Sequence, residues 1–159
     1  MTSRAEPTWT SSTTSSPTSR RPGSVQSRSW PTKTFLEFAR RRFDRIGIAT
    51  SATRRDFGLA ADRFDLARRV DAIVTGEDTT RHKPDPAPYI EALSRLAVAP
   101  AETLVIEDSP NGVRSARAAG TYVVAMTTGF PASELSLAGA SELVAGFDEL
   151  SKDLDERPG

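Results

Sequence analysis

Short apolar runs alternate with amphipathic stretches from about Thr32 to the end of the chain. Five runs are apolar almost throughout and are bounded by polar residues or glycine, a pattern typical of strands buried on both faces of a sheet. The predicted strands are RIGIAT (45–50), DAIVTG (71–76), TLVIE (103–107), TYVVAMTTG (121–129) and a weaker ELVA (142–145).

The segments between these runs carry apolar residues at helical spacing. Ser109 is the expected N-cap of one helix, with Pro110 as its first residue and Gly120 as its terminator, and Thr32 or Thr34 is the expected cap of the first helix. The predicted helices are TKTFLEFARRRF (32–43), TRRDFGLAADRF (53–64), DPAPYIEALSRLAV (85–98), PNGVRSARAA (110–119) and a closing helix around 147–154.

Strands that alternate with helices predict an α/β fold, in which a Rossmann-like parallel sheet is covered by helices in three layers. Right-handed crossovers place the carboxyl end of every strand on one rim of the sheet, and open α/β sheets bind ligands at that rim. Residues that directly follow the predicted strands are therefore the first candidates for chemistry.

Composition divides the chain into two parts. Residues 1–32 contain nine Ser, seven Thr, four Pro and four Arg, and Glu6 is their only acid. They show no period of a helix or strand and few apolar side chains, so we predict a disordered segment at 1–32 and a folded domain at 33–159. An organellar transit peptide is the alternative, but Trp9, Val25 and Trp30 form no amphipathic stripe.

The whole chain of 159 residues has 21 basic and 21 acidic residues and no cysteine. It therefore has no disulfide framework and no thiolate metal site, and nothing in its charge indicates nucleic acid or a membrane as partner. No apolar run approaches the roughly 18 residues that a bilayer requires. We expect a soluble cytoplasmic protein. The basic stretch FARRRFDR suggests an anionic partner, but Arg40–Arg42 are interpreted as a solvated helix face.

Polar side chains follow three of the predicted strands. Thr50 and Ser51 offer hydroxyls before a helix, where an anion can bind, although one of them could simply cap that helix. Lys83 precedes a proline that keeps it extended, so its ammonium could reach the rim instead of being solvated. Glu107 and Asp108 could supply oxygen ligands to Mg²⁺, or Asp108 could start a turn while Glu107 faces solvent.

Taken together, a hydroxyl, an ammonium and a carboxylate pair on one rim are the parts of a phosphoryl-transfer centre. The only histidine, His82, is interpreted as a surface residue.

The segments IGIATSA, GEDTTRHKPDPAPYIEALSRLAV and TLVIEDSPNGVRSARAAG resemble those of haloacid dehalogenase-like (HAD-like) phosphohydrolases, in the branch that contains β-phosphoglucomutase and phosphoglycolate phosphatase. The resemblance extends from about Thr34 to Leu150. It implies that Thr50 binds the transferring phosphoryl group, that Lys83 balances the charge on nucleophile and phosphate, and that Glu107 and Asp108 hold Mg²⁺. Asp108 is the better candidate for direct ligation.

The same resemblance implies that Ser109 and Asn111 support the site with hydrogen bonds and that the substrate is a small phosphorylated metabolite. In the family the nucleophile is the first Asp of an Asp-x-Asp-Gly-Thr motif on a central strand, and no such motif occurs here. DRFD (62–65) has the wrong spacing. The helical cap domain of this branch also has no room before Thr50.

We therefore expect an incomplete HAD-like core that lacks its first central strand, with a gap between the strands that end at Thr50 and Glu107. The chain could alternatively close this gap, recruit its N-terminal segment, self-associate through the unpaired edges or remain marginally stable. A frame shift or misplaced start is our hypothesis for residues 1–32. An Asp-x-Asp-Gly-Thr motif in the upstream or out-of-frame nucleotides would support it, and its absence from every frame would count against it.

Activity of this chain alone stays open. The alternatives are a non-catalytic module of the same fold that binds phosphate and Mg²⁺ or a partner protein, and an unrelated flavodoxin-like or regulatory domain. In the last of these the acidic cluster would follow the first strand, which does not match the late position of Glu107 and Asp108.

Overall fold

Every segment predicted as a strand forms one in the computed structural model, which describes residues 33–156. The prediction for residues 1–32 lies outside the described residues. The helix Ala132–Leu137 was not predicted, and neither were two short 3₁₀ turns at Leu66–Arg68 and Pro100–Glu102. In chain order the elements are α1 (Lys33–Arg42), β1 (Gly47–Ala49), α2 (Arg54–Phe64), β2 (Ala72–Val74), α3 (Ala87–Leu96), β3 (Leu104–Glu107), α4 (Pro110–Ala118), β4 (Tyr122–Met126), α5 (Ala132–Leu137), β5 (Glu142–Val144) and α6 (Phe147–Glu156).

The five strands are parallel but form two sheets. β1 pairs with β2, and β3, β4 and β5 form a second sheet in that order. Among residues 33–156, β1 and β3 each have one edge without a strand partner. This division confirms the predicted break between the strands that end near Thr50 and Glu107, while self-association through these edges stays a prediction.

Helices cover both faces of the strands. Successive residues of a strand point to opposite faces, and along β4 Val123 packs with Tyr89 and Leu93 of α3 whereas Val124 packs with Phe35 of α1. α1 and α3 therefore lie on opposite faces, and the predicted three-layer α/β architecture is confirmed.

Helix α1 links the two sheets. Phe35 packs in one cluster with Val124 and Met126 of β4, whereas its neighbour Leu36 packs in another with Ile48 of β1 and Ile73 of β2. The helix thus joins the two sheets through side chains that are adjacent in sequence.

The ends of the helices test the local signals in the sequence. Ser109 caps α4, since its hydroxyl accepts a hydrogen bond from the Gly112 amide at 3.1 Å, and Gly120 follows α4 with a positive φ of 86°, as predicted. Thr34 lies inside α1 and is not its cap, because the helix begins one residue earlier. The cap of α2 is Thr53, whose hydroxyl accepts from the Asp56 amide at 3.1 Å.

Asp78 ties the loop after β2 to two helices. Its carboxylate accepts hydrogen bonds from the Thr75 amide at 2.7 Å and the Thr75 hydroxyl at 2.5 Å. It also pairs with Arg54 of α2 at 3.0 Å and Arg95 of α3 at 3.1 Å. The Thr75 hydrogen bonds, helped by Arg95, hold the pKa of Asp78 well below its ordinary value.

We expect Asp78→Asn to reduce stability by about 2 kcal/mol at neutral pH, because charge-assisted hydrogen bonds are lost. A carboxyl with a lowered folded-state pKa stabilises the fold above its unfolded pKa, near 3.9, and this stabilisation is lost as pH falls toward the folded value. Urea unfolding at several acidic pH values should therefore show that the free energy of unfolding falls less steeply with decreasing pH in Asp78→Asn than in the parent. Parallel pH profiles would contradict this assignment.

No helix within residues 33–156 has the length and apolar character required to cross a bilayer.

Candidate functional site

Lys83 connects the carboxyl ends of two strands that belong to different sheets. Its ammonium donates to the Ala49 carbonyl at the end of β1 at 3.1 Å and to the Glu107 Oε1 at the end of β3 at 2.5 Å. A third contact joins it to the Tyr89 hydroxyl at 3.1 Å. The loop after β2 thus brings together two of the predicted site residues, Lys83 and Glu107.

The Glu107 carboxylate is buried and fully hydrogen-bonded. Oε1 accepts from Lys83 and from the Tyr89 hydroxyl, the latter at 2.5 Å. Oε2 accepts from the Asp108 amide at 3.1 Å and the Ser109 hydroxyl at 3.2 Å. With 7% of its side chain exposed, Glu107 anchors Lys83, and a metal ion would have to displace one of these four donors.

Tyr89 is a member of this cluster that sequence reasoning missed. The Lys83 ammonium lies 4.7 Å from the centre of its ring, within the range of a cation–π contact. Burial, followed by the nearby charge of Glu107, raises the pKa of Tyr89 well above its ordinary value, so it keeps its proton as a hydrogen-bond donor. In the sequence Tyr89 resembles an ordinary apolar position of a helix.

A cavity of about 340 Å³ opens beside Lys83 at this rim. Its wall includes the predicted Ser51, Lys83, Ser109 and Asn111, together with Pro110 and Phe130. Phe130 was not predicted. It follows β4, and 42% of it is exposed. Thr50 is not in the wall: its hydroxyl accepts from the Ala52 amide at 3.1 Å. Because Thr53 caps α2, the alternative that Thr50 or Ser51 is the cap is wrong.

The cavity has the features of an anion site. The amino end of α4 begins at Pro110, and the helix dipole favours negative charge there. All three protons of the Lys83 ammonium have acceptors within the chain, so this residue offers a ligand positive charge instead of a free hydrogen-bond donor. Ser51 is exposed and can donate a hydrogen bond. His82, also exposed, lies outside the cavity wall, in line with its interpretation as a surface residue.

The fit to Mg²⁺ rests on Asp108. Mg²⁺ is usually held by one or two carboxylates, with waters and substrate phosphate oxygens completing an octahedron. Residues 33–156 contain no group of three or more acidic or histidine side chains able to hold a metal. Asp108 directly follows Glu107, but neither residue is part of the cavity wall, so binding of Mg²⁺ by these two carboxylates stays a prediction.

The chain is similar to known proteins in sequence and in fold. The model for haloacid dehalogenase-like hydrolases matches residues 32–126. The chain is 35% identical over 111 residues to validoxylamine A 7'-phosphate phosphatase of Streptomyces hygroscopicus subsp. limoneus, which covers 70% of this chain and 48% of that protein. It is 38% identical over 85 residues to the phosphorylated carbohydrates phosphatase of Thermotoga maritima, covering 54% of this chain and 39% of that protein.

A crystal structure of a candidate β-phosphoglucomutase from Thermotoga maritima superposes with a TM-score of 0.74 at 32% identity, covering 80% of this chain and 60% of the other. The chain spans about half the length of the curated relatives it matches. The match of the family model over more than half of the residues, together with this shared fold, shows that the chain belongs to the haloacid dehalogenase-like hydrolases.

Proposed function

We propose that this chain provides the phosphate-binding part of a Mg²⁺-dependent phosphohydrolase centre that acts on a small phosphorylated metabolite. The observation that carries the proposal is the position of Lys83. Its ammonium joins the ends of β1 and β3 at 3.1 Å and 2.5 Å and borders the cavity that contains Ser51.

The electrostatics of the cavity support a phosphate ligand. Lys83 supplies positive charge, the amino end of α4 supplies a partial one, and the Ser51 hydroxyl supplies a hydrogen bond. The relatives support the same class of ligand, since one is a phosphatase of validoxylamine A 7'-phosphate and another of phosphorylated carbohydrates. The exposed ring of Phe130 offers an apolar wall for the remainder of the metabolite.

Mg²⁺ is the proposed cofactor, with Asp108 as its protein ligand and Glu107 beside it. When bound, the ion would neutralise charge on the phosphate oxygens. Glu107 keeps the Lys83 ammonium fixed next to the anion, and Tyr89 keeps the Glu107 carboxylate oriented by donating to Oε1. These roles are positioning and charge stabilisation, which dominate catalysis of phosphoryl transfer.

A non-catalytic phosphate- and Mg²⁺-binding module is the second candidate. It is favoured by one feature of the sequence, which contains no Asp-x-Asp-Gly-Thr motif to provide an aspartyl nucleophile. In this case the chain would bind phosphate without turnover.

Two assays on the same protein separate these functions. Mg²⁺-dependent release of p-nitrophenol from p-nitrophenyl phosphate reports turnover, and thermal shift with Mg²⁺ and inorganic phosphate reports binding. For the enzyme we expect Lys83→Ala and Asp108→Ala each to lower turnover by about a hundredfold or more, since each removes charge stabilisation at the phosphate. The exposed Lys152 and Asp148 on α6 provide matched controls, and their alanine variants should behave like the parent.

Phosphate-dependent stabilisation without turnover, lost in Lys83→Ala and kept in Lys152→Ala, would support the binding module. A chain that neither turns over nor is stabilised by phosphate and Mg²⁺ would overturn both candidates.

A further inference from the structure

A second polar cluster lies on the rim opposite the cavity of Lys83. Asp71 directly precedes β2, and Ile46 directly precedes β1. The Asp71 carboxylate accepts a hydrogen bond from the Ile46 amide at 2.8 Å. This cluster therefore lies at the amino ends of the two parallel strands. Lys83 and Ser51 belong to the carboxyl ends of the strands. A ligand bound at one rim therefore does not occupy the other.

One side of α1 and the two arginines Arg68 and Arg69 line an open pocket of about 340 Å³ at this rim. Its volume falls within the roughly 300–1,000 Å³ of small-molecule sites. We call it the arginine pocket, and its wall contains four arginines with one acid: Leu36, Glu37, Arg40, Arg41, Arg68 and Arg69.

The acids nearby do not satisfy all of these guanidinium groups. Arg40 pairs with Asp71 at 2.9 Å, and Arg68 has an exposed contact with Asp65 at 3.8 Å. Arg69 reaches Glu37 at 3.4 Å, which is long for a charge-assisted hydrogen bond.

Two donor groups are left over within the part of the chain that the structure describes. The Nε of Arg69 is buried without a hydrogen-bond partner, and the Arg41 guanidinium has no ion pair. The buried Nε is out of reach of a ligand, so the outer nitrogens of Arg69 and the exposed Arg41 guanidinium are the donors that an anion in the pocket could contact.

The dipole of α1 explains part of this arrangement. Cations are favourable in the last turn of a helix, which accounts for Arg40 and Arg41. It does not account for Arg68 and Arg69, which come from a different segment and face the same pocket. Arg40 also departs from the predicted solvated helix face, because it binds Asp71 and the Arg69 carbonyl.

We propose that the arginine pocket binds a small polyphosphate anion of the diphosphate class, separately from the centre at Lys83. An anion with several charges is required, because it has to compete with Glu37 for Arg69. Several oxygens at fixed spacing can accept from the Arg41 guanidinium and from the outer nitrogens of Arg69 together, as guanidinium groups favour such paired contacts with phosphate. The concave shape favours a small anion over an acidic protein segment.

Calorimetric titration of the full chain with inorganic pyrophosphate, in buffer with EDTA, tests this site without the proposed Mg²⁺ centre. We expect saturable binding that is weakened about tenfold by Arg41→Ala and by Arg69→Lys, because lysine lacks the planar fork of donors. Arg41 is exposed, so its variant should fold even where Arg69→Lys does not. Arg55→Ala, at an exposed arginine on α2, is the matched control and should bind like the parent.

The double variant Lys83→Met/Glu107→Leu distinguishes the two rims, because it removes the ammonium without leaving Glu107 as a buried unpaired charge. Pyrophosphate binding that survives in this variant supports the arginine pocket, whether or not the chain has phosphatase activity. Binding lost in the folded double variant, equal weakening in Arg55→Ala, or no saturable binding would each overturn the proposal. Binding of an acidic peptide such as oligoglutamate without binding of pyrophosphate would overturn it in favour of a protein-docking surface.

Discussion

Replacing Glu107 with alanine should lower the free energy of unfolding by about 3–5 kcal/mol, because it leaves a buried charge without its partner. The Lys83 and Glu107 side chains are only 12% and 7% exposed, so solvent cannot replace the lost carboxylate. The Tyr89 hydroxyl loses its acceptor in the same variant. Chemical denaturation in urea measures the effect.

A double variant separates the cost of an unpaired charge from the value of the ion pair. In Lys83→Met/Glu107→Leu both charges are replaced by apolar groups of similar size, and such replacements are often neutral in stability. We expect this protein to recover most of the stability lost in Glu107→Ala, while any stabilisation by phosphate disappears. A double variant as unstable as Glu107→Ala would show that the hydrogen bonds of Glu107 matter more than its charge. A loss below about 1 kcal/mol in Glu107→Ala would contradict the buried pair.

Gly112→Ala should be the second most damaging change, although alanine is the better helix former by about 1 kcal/mol. A Cβ added to Gly112 would overlap the Glu107 carboxylate. This carboxylate cannot move freely, because Lys83, Tyr89 and the start of α4 hold both of its oxygens. Overpacking of this kind costs about 1–3 kcal/mol. We expect a loss of stability in the upper part of this range, measured by thermal and urea unfolding. Phosphate binding should also be weaker.

Gly58 provides a matched control for this prediction. It lies in the interior of α2, and a Cβ added there would meet nothing within 4 Å. Gly58→Ala should therefore raise stability by about 0.5–1 kcal/mol through helix propensity and a less flexible unfolded chain. If Gly112→Ala raised stability as much as Gly58→Ala, this result would contradict the close contact between α4 and Glu107.

Glu107 and Gly112 together explain how the site is formed. The carboxylate at the end of β3 fits into space that only glycine leaves at the start of α4. In this position it can accept from Lys83, which belongs to a different loop, and from Ser109, which caps α4. The same short segment thus ends a strand, begins a helix and orients the cation of the proposed phosphate site.

Much of the architecture could be predicted because its signals are local. The apolar runs around Ile48, Ile73 and Ile106 indicated parallel strands, and Ser109 and Gly120 indicated the two ends of α4. The short helix Ala132–Leu137 escaped prediction because its six residues are too few to display a helical period.

The convergence of Lys83 and Glu107 could also be expected from sequence, since parallel strands bring their carboxyl ends to one rim. Their roles were less accessible. Sequence alone suggested that Glu107 is a metal ligand or faces solvent, whereas its oxygens accept four hydrogen bonds within the chain. Direct binding of Mg²⁺ by Glu107 and Asp108 stays a prediction.

The order of strands and helices, the caps of α4 and the rim that carries Lys83 follow from spacing and residue type along the chain. The partners of Tyr89, the need for glycine at 112 and the arginine pocket depend on contacts between distant segments. Arg40 and Asp71, for example, are 31 residues apart. Local propensity carries no information about such contacts, because they form only when packed elements bring distant side chains within hydrogen-bonding distance.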